Sequence, residues 1–147
     1  MNDLLLVAHI AGERVAFRAA DIQSVVELGT ITPVPHAPAF VAGLAALRSR
    51  PLTVIDSFAS LGLVRDADAP RTTTKAVVVE RDRHLYALLV DGIEDVIASV
   101  AEVTALPGEL AAGWQRASLG LIETAMGALL LADPAALIAG PELRNAA

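Results

Sequence analysis

Ala76-Val77-Val78-Val79-Glu80, then Arg81-Asp82-Arg83-His84, then Leu85-Tyr86-Ala87-Leu88-Leu89-Val90: this stretch decides the fold class. Two short runs rich in β-branched and aliphatic residues flank a charged four-residue break, which predicts a β-hairpin. Asp91-Gly92 then turns the chain into a further predicted strand over residues 93–98.

Working outward, the same grammar repeats. Residues 4–10 and 14–18 read as strands joined by Ala11-Gly12-Glu13, with Val15 and Phe17 on one face of the second. Residues 24–28 (Ser-Val-Val-Glu-Leu) and 52–56 are two more. Between them Pro33, Pro35 and Pro38 remove backbone donors and predict an extended connection. Residues 39–47, Ala-rich and interrupted at Gly43, are expected to form a turn or two of helix, and residues 57–63 a short helix ended at Gly62. Residues 65–72, polar and holding Pro70, are the expected mobile loop. Beyond Leu106-Pro107-Gly108, residues 119–124 and 128–132 predict a last hairpin around Met126-Gly127. Asp133 as N-cap, Pro134 at the first helical position and Gly140-Pro141 at the stop predict a closing helix over about 133–139. The expectation is a mainly β chain.

Composition bounds the function. The 147 residues suit a single domain over 1–147, and 54% hydrophobic residues with only 3% aromatics imply an aliphatic core. A net charge of -6 argues against nucleic acid and anionic lipid as partners. The absence of Cys removes disulfides, thiol chemistry and Cys-based metal sites, in keeping with a reducing cytoplasm. Residues 1–8 lack the basic start of a signal peptide, and no apolar run is long enough to cross a bilayer, so a soluble, cytoplasmic protein without membrane insertion is expected.

Catalytic and metal chemistry finds no constellation. His9, His36 and His84 are scattered, without the spacing of a metal site. Asp66 and Asp68 resemble the opening of a calcium loop, but its glycine is missing and Val77 stands where the bidentate Glu belongs. Asp91, Glu94 and Asp95 read as solvated turn carboxylates, and no Gly-rich phosphate loop or nucleophile elbow is present. Trp114 is the expected core or inter-lobe anchor. No catalytic residue, metal or cofactor is expected.

The order of motifs over residues 25–56 resembles the CheW-like domain family. Its pattern, V-x-E-I, a linker with P-V-P and A-P, an aromatic, then G-V-x-N-L-R-G and P-V-I-D-L, is met here by Val25-Val26-Glu27-Leu28, Pro33-Val34-Pro35-His36-Ala37-Pro38, Phe40, Gly43-Leu44, Leu47-Arg48 and Val54-Ile55-Asp56. Downstream, residues 88–97 and 127–138 are similar to the family's later strands and final helix. The resemblance implies two side-by-side, SH3-like, five-stranded β-barrel lobes with a C-terminal helix. It also implies a non-enzymatic adaptor whose partners are the regulatory domain of a chemotaxis histidine kinase, the cytoplasmic tip of a chemoreceptor and other CheW-like domains. The site residues it implies are Glu27, Leu28, Phe40, Val41, Leu44 and Arg48. Departures lie at Ala46, Ser49, Pro51 and Thr53, where the family has Asn, Gly, a strand-forming residue and Pro. Pro51 is expected to weaken local strand pairing, and retention of receptor coupling turns on these positions. Two alternatives stand beside the adaptor: a diverged CheW-like module serving another signalling partner, and a small β enzyme or ligand binder with a deep polar pocket.

Overall fold

The computed structural model describes residues 4–63, 74–108 and 110–141. The expected mobile loop over 65–72, with Asp66 and Asp68, lies outside the described residues. In chain order the strands are β1 (Leu4–Ile10), β2 (Glu13–Arg18), β3 (Ser24–Glu27), β4 (Val41–Leu47), β5 (Arg50–Ile55), β6 (Lys75–Arg81), β7 (His84–Leu89), β8 (Gly92–Ala98), β9 (Ser118–Thr124) and β10 (Gly127–Ala132). Three short α-helices, α1 (Ser57–Ser60), α2 (Ala112–Ala117) and α3 (Pro134–Ala139), and one 3-10 turn over Ala19–Asp21 complete the set of described elements.

The strands form two five-stranded sheets, ordered β8-β1-β2-β10-β9 and β3-β6-β7-β5-β4. The chain begins in the first sheet, builds the whole of the second, and returns. Continuous apolar runs such as residues 4–8 in β1 and 76–79 in β6 follow from burial on both faces of a strand. On β6, Val77 and Val79 enter a core shared by the two sheets, whereas Ala76 and Val78 enter the second sheet's own core. On β1, Leu6, Ala8 and Ile10 face the shared core, and Leu5 and Val7 a separate one. Phe17 and Trp114 are buried in the shared core, which gives Trp114 the inter-sheet place expected of it.

Three two-residue hairpin turns have both central residues at positive φ: Ala11-Gly12 (53°, 82°), Arg48-Ser49 (50°, 70°) and Asp82-Arg83 (51°, 68°). Their twist matches that of the flanking strands. The α3 signals hold: Asp133 accepts from the Ala135 amide at 3.1 Å, and Gly140 has φ 82°.

Two expectations need correction. Neither sheet is a closed barrel among the described residues; each keeps two edge strands. Beyond the ladders only isolated bridges occur, Ser99 with Thr124 and Thr104 with Leu121 in the first sheet, Thr32 with Leu44 in the second. Strand β3 is only four residues long, and the following segment carries three prolines that cannot supply ladder donors. Residues 41–47 form strand β4 instead of helix, because they pair antiparallel with β5 across the Arg48-Ser49 turn, and on the other edge Thr32 and Leu44 exchange two backbone hydrogen bonds of 2.8 Å beside Gly43. A side chain at Gly43 would lie 2.7 Å from the Thr32 carbonyl carbon, so only glycine permits that approach. Pro51 lies within β5: β4 and β5 pair from Val41–Ile55 through Ala46–Pro51 to Leu47–Arg50, while pairing of β5 with β7 begins only at Thr53. The missing N–H therefore falls at the strand's unshared end.

Helix α2 had no sequence signal. Its N-cap, Ala111, offers no side-chain acceptor. It is held instead by packing, with Arg116 donating to the carbonyl oxygens of both Ser60 and Ala136, and Ser60 Oγ donating to Leu137 O at 2.6 Å. These bonds tie all three helices together where the sheets meet.

Candidate partner-binding surface

Strand register spreads the expected site residues along the second sheet. Glu27 pairs with Lys75 and Ser24 with Val78 across β3 and β6. Leu47 pairs with Arg50 and Val41 with Ile55 across β4 and β5. Since β5 and β7 run parallel from Thr53–Tyr86, the Arg48-Ser49 turn and the Asp82-Arg83 turn share one end of the sheet. Glu27, Leu28, Phe40 and Val41 lie toward the opposite end, and Leu44 between. At ~3.3 Å per strand residue, Glu27 and Arg48 are separated by about 20 Å along the strands. They form no ion pair with each other.

At the Glu27 end, the carboxylate is exposed and accepts from Thr74 Oγ1 at 3.4 Å. Leu28 is buried in the second sheet's core, so it supports the surface from below. Phe40 and Val41 are half-buried against the shared core. The Phe40 ring lies against Gly140, where any side chain would overlap it. Its carbonyl accepts the Asp56 amide at 2.8 Å, while Val41 N–H donates to Pro38 O at 2.9 Å. This corner is therefore a rigid junction of β4, β5 and the end of α3.

Leu44 points outward from edge strand β4 and is 43% exposed. Arg48 occupies the exposed tip of the β4–β5 turn and lines a groove of ≈ 350 Å³ together with Val25, Val26, Leu47, Arg50 and Leu85. The groove lies between β3 and β4, the two edge strands of the sheet. Its floor belongs to the sheet's own core, since Val26, Leu47 and Leu85 are core members. Val25, 44% exposed, and Arg50 were not singled out as site residues; their signal was adjacency to the resembling motifs. An apolar floor with guanidinium groups at the rim suits an amphipathic polypeptide segment: apolar side chains bury in the groove and polar ones meet the arginines.

The carboxylates near β8 are engaged structurally. Asp91 Oδ2 accepts the Ala11 amide at 2.9 Å. Glu94 Oε1 meets both His9 Nε2 at 2.9 Å and Arg14 Nη2 at 3.0 Å. Asp95 accepts the Val96 amide at 2.8 Å. Among the described residues, no three His, Cys, Asp or Glu side chains gather as a metal site. No helix among them is long and apolar enough to cross a membrane.

Comparison with known proteins places the chain in a family. The family model described as "CheW-like domain" matches residues 4–142. The chain is 33% identical over 113 residues to a "Probable chemotaxis protein CheW" of Rhizobium etli, covering 71% of this chain and 72% of that protein. It is 32% identical over 94 residues to a "Chemotaxis protein CheW" of Rhizobium meliloti, covering 58% and 59%. Its fold is similar to the crystal structure of the scaffolding protein TtCheW from Thermoanaerobacter tengcongensis, with a TM-score of 0.75 at 22% identity over 90% of each chain. With a family model spanning both sheets and a relative a third identical over most of its length, this chain belongs to the CheW-like domain family.

Proposed function

We propose that this protein is a non-enzymatic adaptor of the cytoplasm that couples chemoreceptors to a histidine kinase by protein–protein contacts. Its partners are the regulatory domain of the kinase, the cytoplasmic tip of the receptor and other CheW-like domains. Family membership across residues 4–142 carries this reading. Physical support comes from the placement of Arg48, an exposed guanidinium on a fixed turn beside an apolar groove. Such a group orients an incoming helix or strand, and the apolar anchors beside it supply most of the affinity. Leu44, Phe40 and Val41 form or support the face that runs from this groove to the Glu27 end.

Ala46, Ser49 and Thr53 favour a second reading, a diverged module that keeps one partner and has lost the other. They cluster around Arg48 on β4 and β5, so any loss falls on the partner that reads this turn. We expect kinase binding to persist and receptor binding to be weak. Co-purification of the protein with a chemotaxis kinase regulatory domain, and separately with a receptor tip fragment, tests both. Capture of both supports the adaptor, and capture of the kinase domain alone supports the diverged module. Capture of neither rejects coupling altogether.

A further inference from the structure

The pairing of β5 with β7 brings two basic turns to one end of the second sheet. Arg48 and Arg50 flank Ser49 on one turn, and Arg81 and Arg83 flank Asp82 on the other. All four arginines are exposed, and none forms an ion pair with a described residue. Arg50 lines the groove with Arg48 on one side. On the other it lines a second depression, of ≈ 420 Å³, with Leu44, Pro51, Arg83 and His84. The neighbouring carboxylates are Asp82 in the turn and Glu80 on β6; with Asp21, Glu80 lies beside Arg81 in a separate cleft between the sheets. Arg48, Arg50 and Arg83 therefore concentrate positive charge on a chain whose net charge is -6.

We propose that this end of the second sheet is a docking surface for an acidic, amphipathic polypeptide segment of a partner protein. The inference rests on the adaptor reading for the class of partner and adds the chemistry by which that partner is chosen. Carboxylates of the segment pair with Arg48, Arg50 and Arg83, whose planar donors match carboxylate geometry. Its apolar side chains meet Val25 and Leu44, which are 44% and 43% exposed on the two sides of the patch. Nucleic acid fits less well. A phosphate backbone calls for basic charge over an extended track, whereas this patch is short, holds apolar side chains, and is bounded by Glu80 and Asp82 on an acidic protein. The net charge of -6 works the same way: overall repulsion of an acidic segment leaves the basic end as a favoured approach and so orients the encounter.

The test uses the full chain and the charge-reversed double variant Arg50→Glu, Arg83→Glu, with circular dichroism and melting confirming that both are folded. One probe is a short amphipathic peptide carrying glutamates on one face and leucines on the other, with its glutamine counterpart as control. The others are the kinase regulatory domain, the receptor tip fragment and a duplex DNA. The wild type should bind the glutamate peptide at least about tenfold more tightly than the glutamine peptide, with affinity falling as salt rises. The double variant should lose about tenfold or more toward the glutamate peptide and toward whichever protein partner binds. Should the variant melt early, the glutamate-over-glutamine preference and salt dependence of the wild type decide alone. Equal binding of both peptides by the wild type would overturn the inference, as would unchanged partner binding by a folded double variant; the adaptor reading would survive either result. Tighter binding of DNA than of the glutamate peptide would also overturn it. If the wild type binds the peptide selectively but neither protein partner, the acidic docking surface stands and the adaptor reading fails.

Discussion

Gly113, in the first turn of α2, packs directly on Leu61 at the end of α1. A methyl group there would press on the Leu61 carbonyl, 2.8 Å from its carbon and 3.2 Å from the Leu61 Cα, with the oxygen nearer still. These are backbone atoms at the end of α1, fixed by the Leu61 amide bonding to Ser57 O at 3.0 Å, so they cannot rotate away as a side chain would. Helix α2 must move outward, pulling on buried Trp114 and on the Arg116 bonds to Ser60 and Ala136. Forcing a methyl into such a site costs about 1–3 kcal/mol, and strain in the charged Arg116 bonds adds about 1 kcal/mol. Against this, Ala gains at most about 1 kcal/mol in helix propensity. The net for Gly113→Ala is a destabilisation of about 2 kcal/mol, a melting point lower by roughly 4–8 °C for a chain of this size. Gly108→Ala, with nothing within 4 Å and no positive φ, is the control and should stay within about 0.5 kcal/mol of wild type. Melting by circular dichroism reads both. If Gly113→Ala melts at or above wild type, propensity alone is acting and the close packing of α2 on α1 is refuted.

Three further predictions follow from single contacts. Ser49→Gly should stabilise the domain by about 1 kcal/mol, because Ser49 holds φ 70° in the β4–β5 turn and glycine relieves that cost; urea unfolding measures it. Ser60→Ala should destabilise by about 1–2 kcal/mol, since it leaves the Leu137 carbonyl without its buried 2.6 Å donor, again seen in urea unfolding. Arg48→Ala should leave the melting temperature unchanged, the side chain being exposed and outside any ion pair with a described residue, yet weaken partner binding by about 1–3 kcal/mol in calorimetric titration. Unchanged binding with a lowered melting temperature would make Arg48 structural.

Much of the fold was legible because burial on both faces writes strands as apolar runs and two-residue turns interrupt them sharply. The hairpin across Arg81–His84 and the capped helix at Asp133 were read almost to the residue. Strand β4 was not, since Ala and Leu favour helix locally and the ladder with β5, with the Thr32 bridge on its other edge, reverses that preference. Helix α2 lacks a capping side chain and depends on Arg116 reaching carbonyls 20 and 56 residues away, which local patterning cannot register. Where the six expected site residues would lie was not legible. Glu27 and Arg48 fall at opposite ends of the sheet because β3 and β4 are edge strands joined by a long proline-bearing segment, and their distance is set by register. Arg50 and Arg83 come together only through the parallel pairing of β5 with β7. Nothing in sequence proximity announces it.

Bridging is the property that defines an adaptor, and one measurement reads it directly. A kinase regulatory domain and a receptor tip fragment are mixed with and without this protein at matched concentrations, and the species are sized by sedimentation velocity. The account predicts a complex containing all three chains that vanishes when this protein is omitted and diminishes with Arg48→Ala. Kinase domain and receptor fragment sedimenting apart in its presence, up to concentrations at which each binary interaction would saturate, would contradict it.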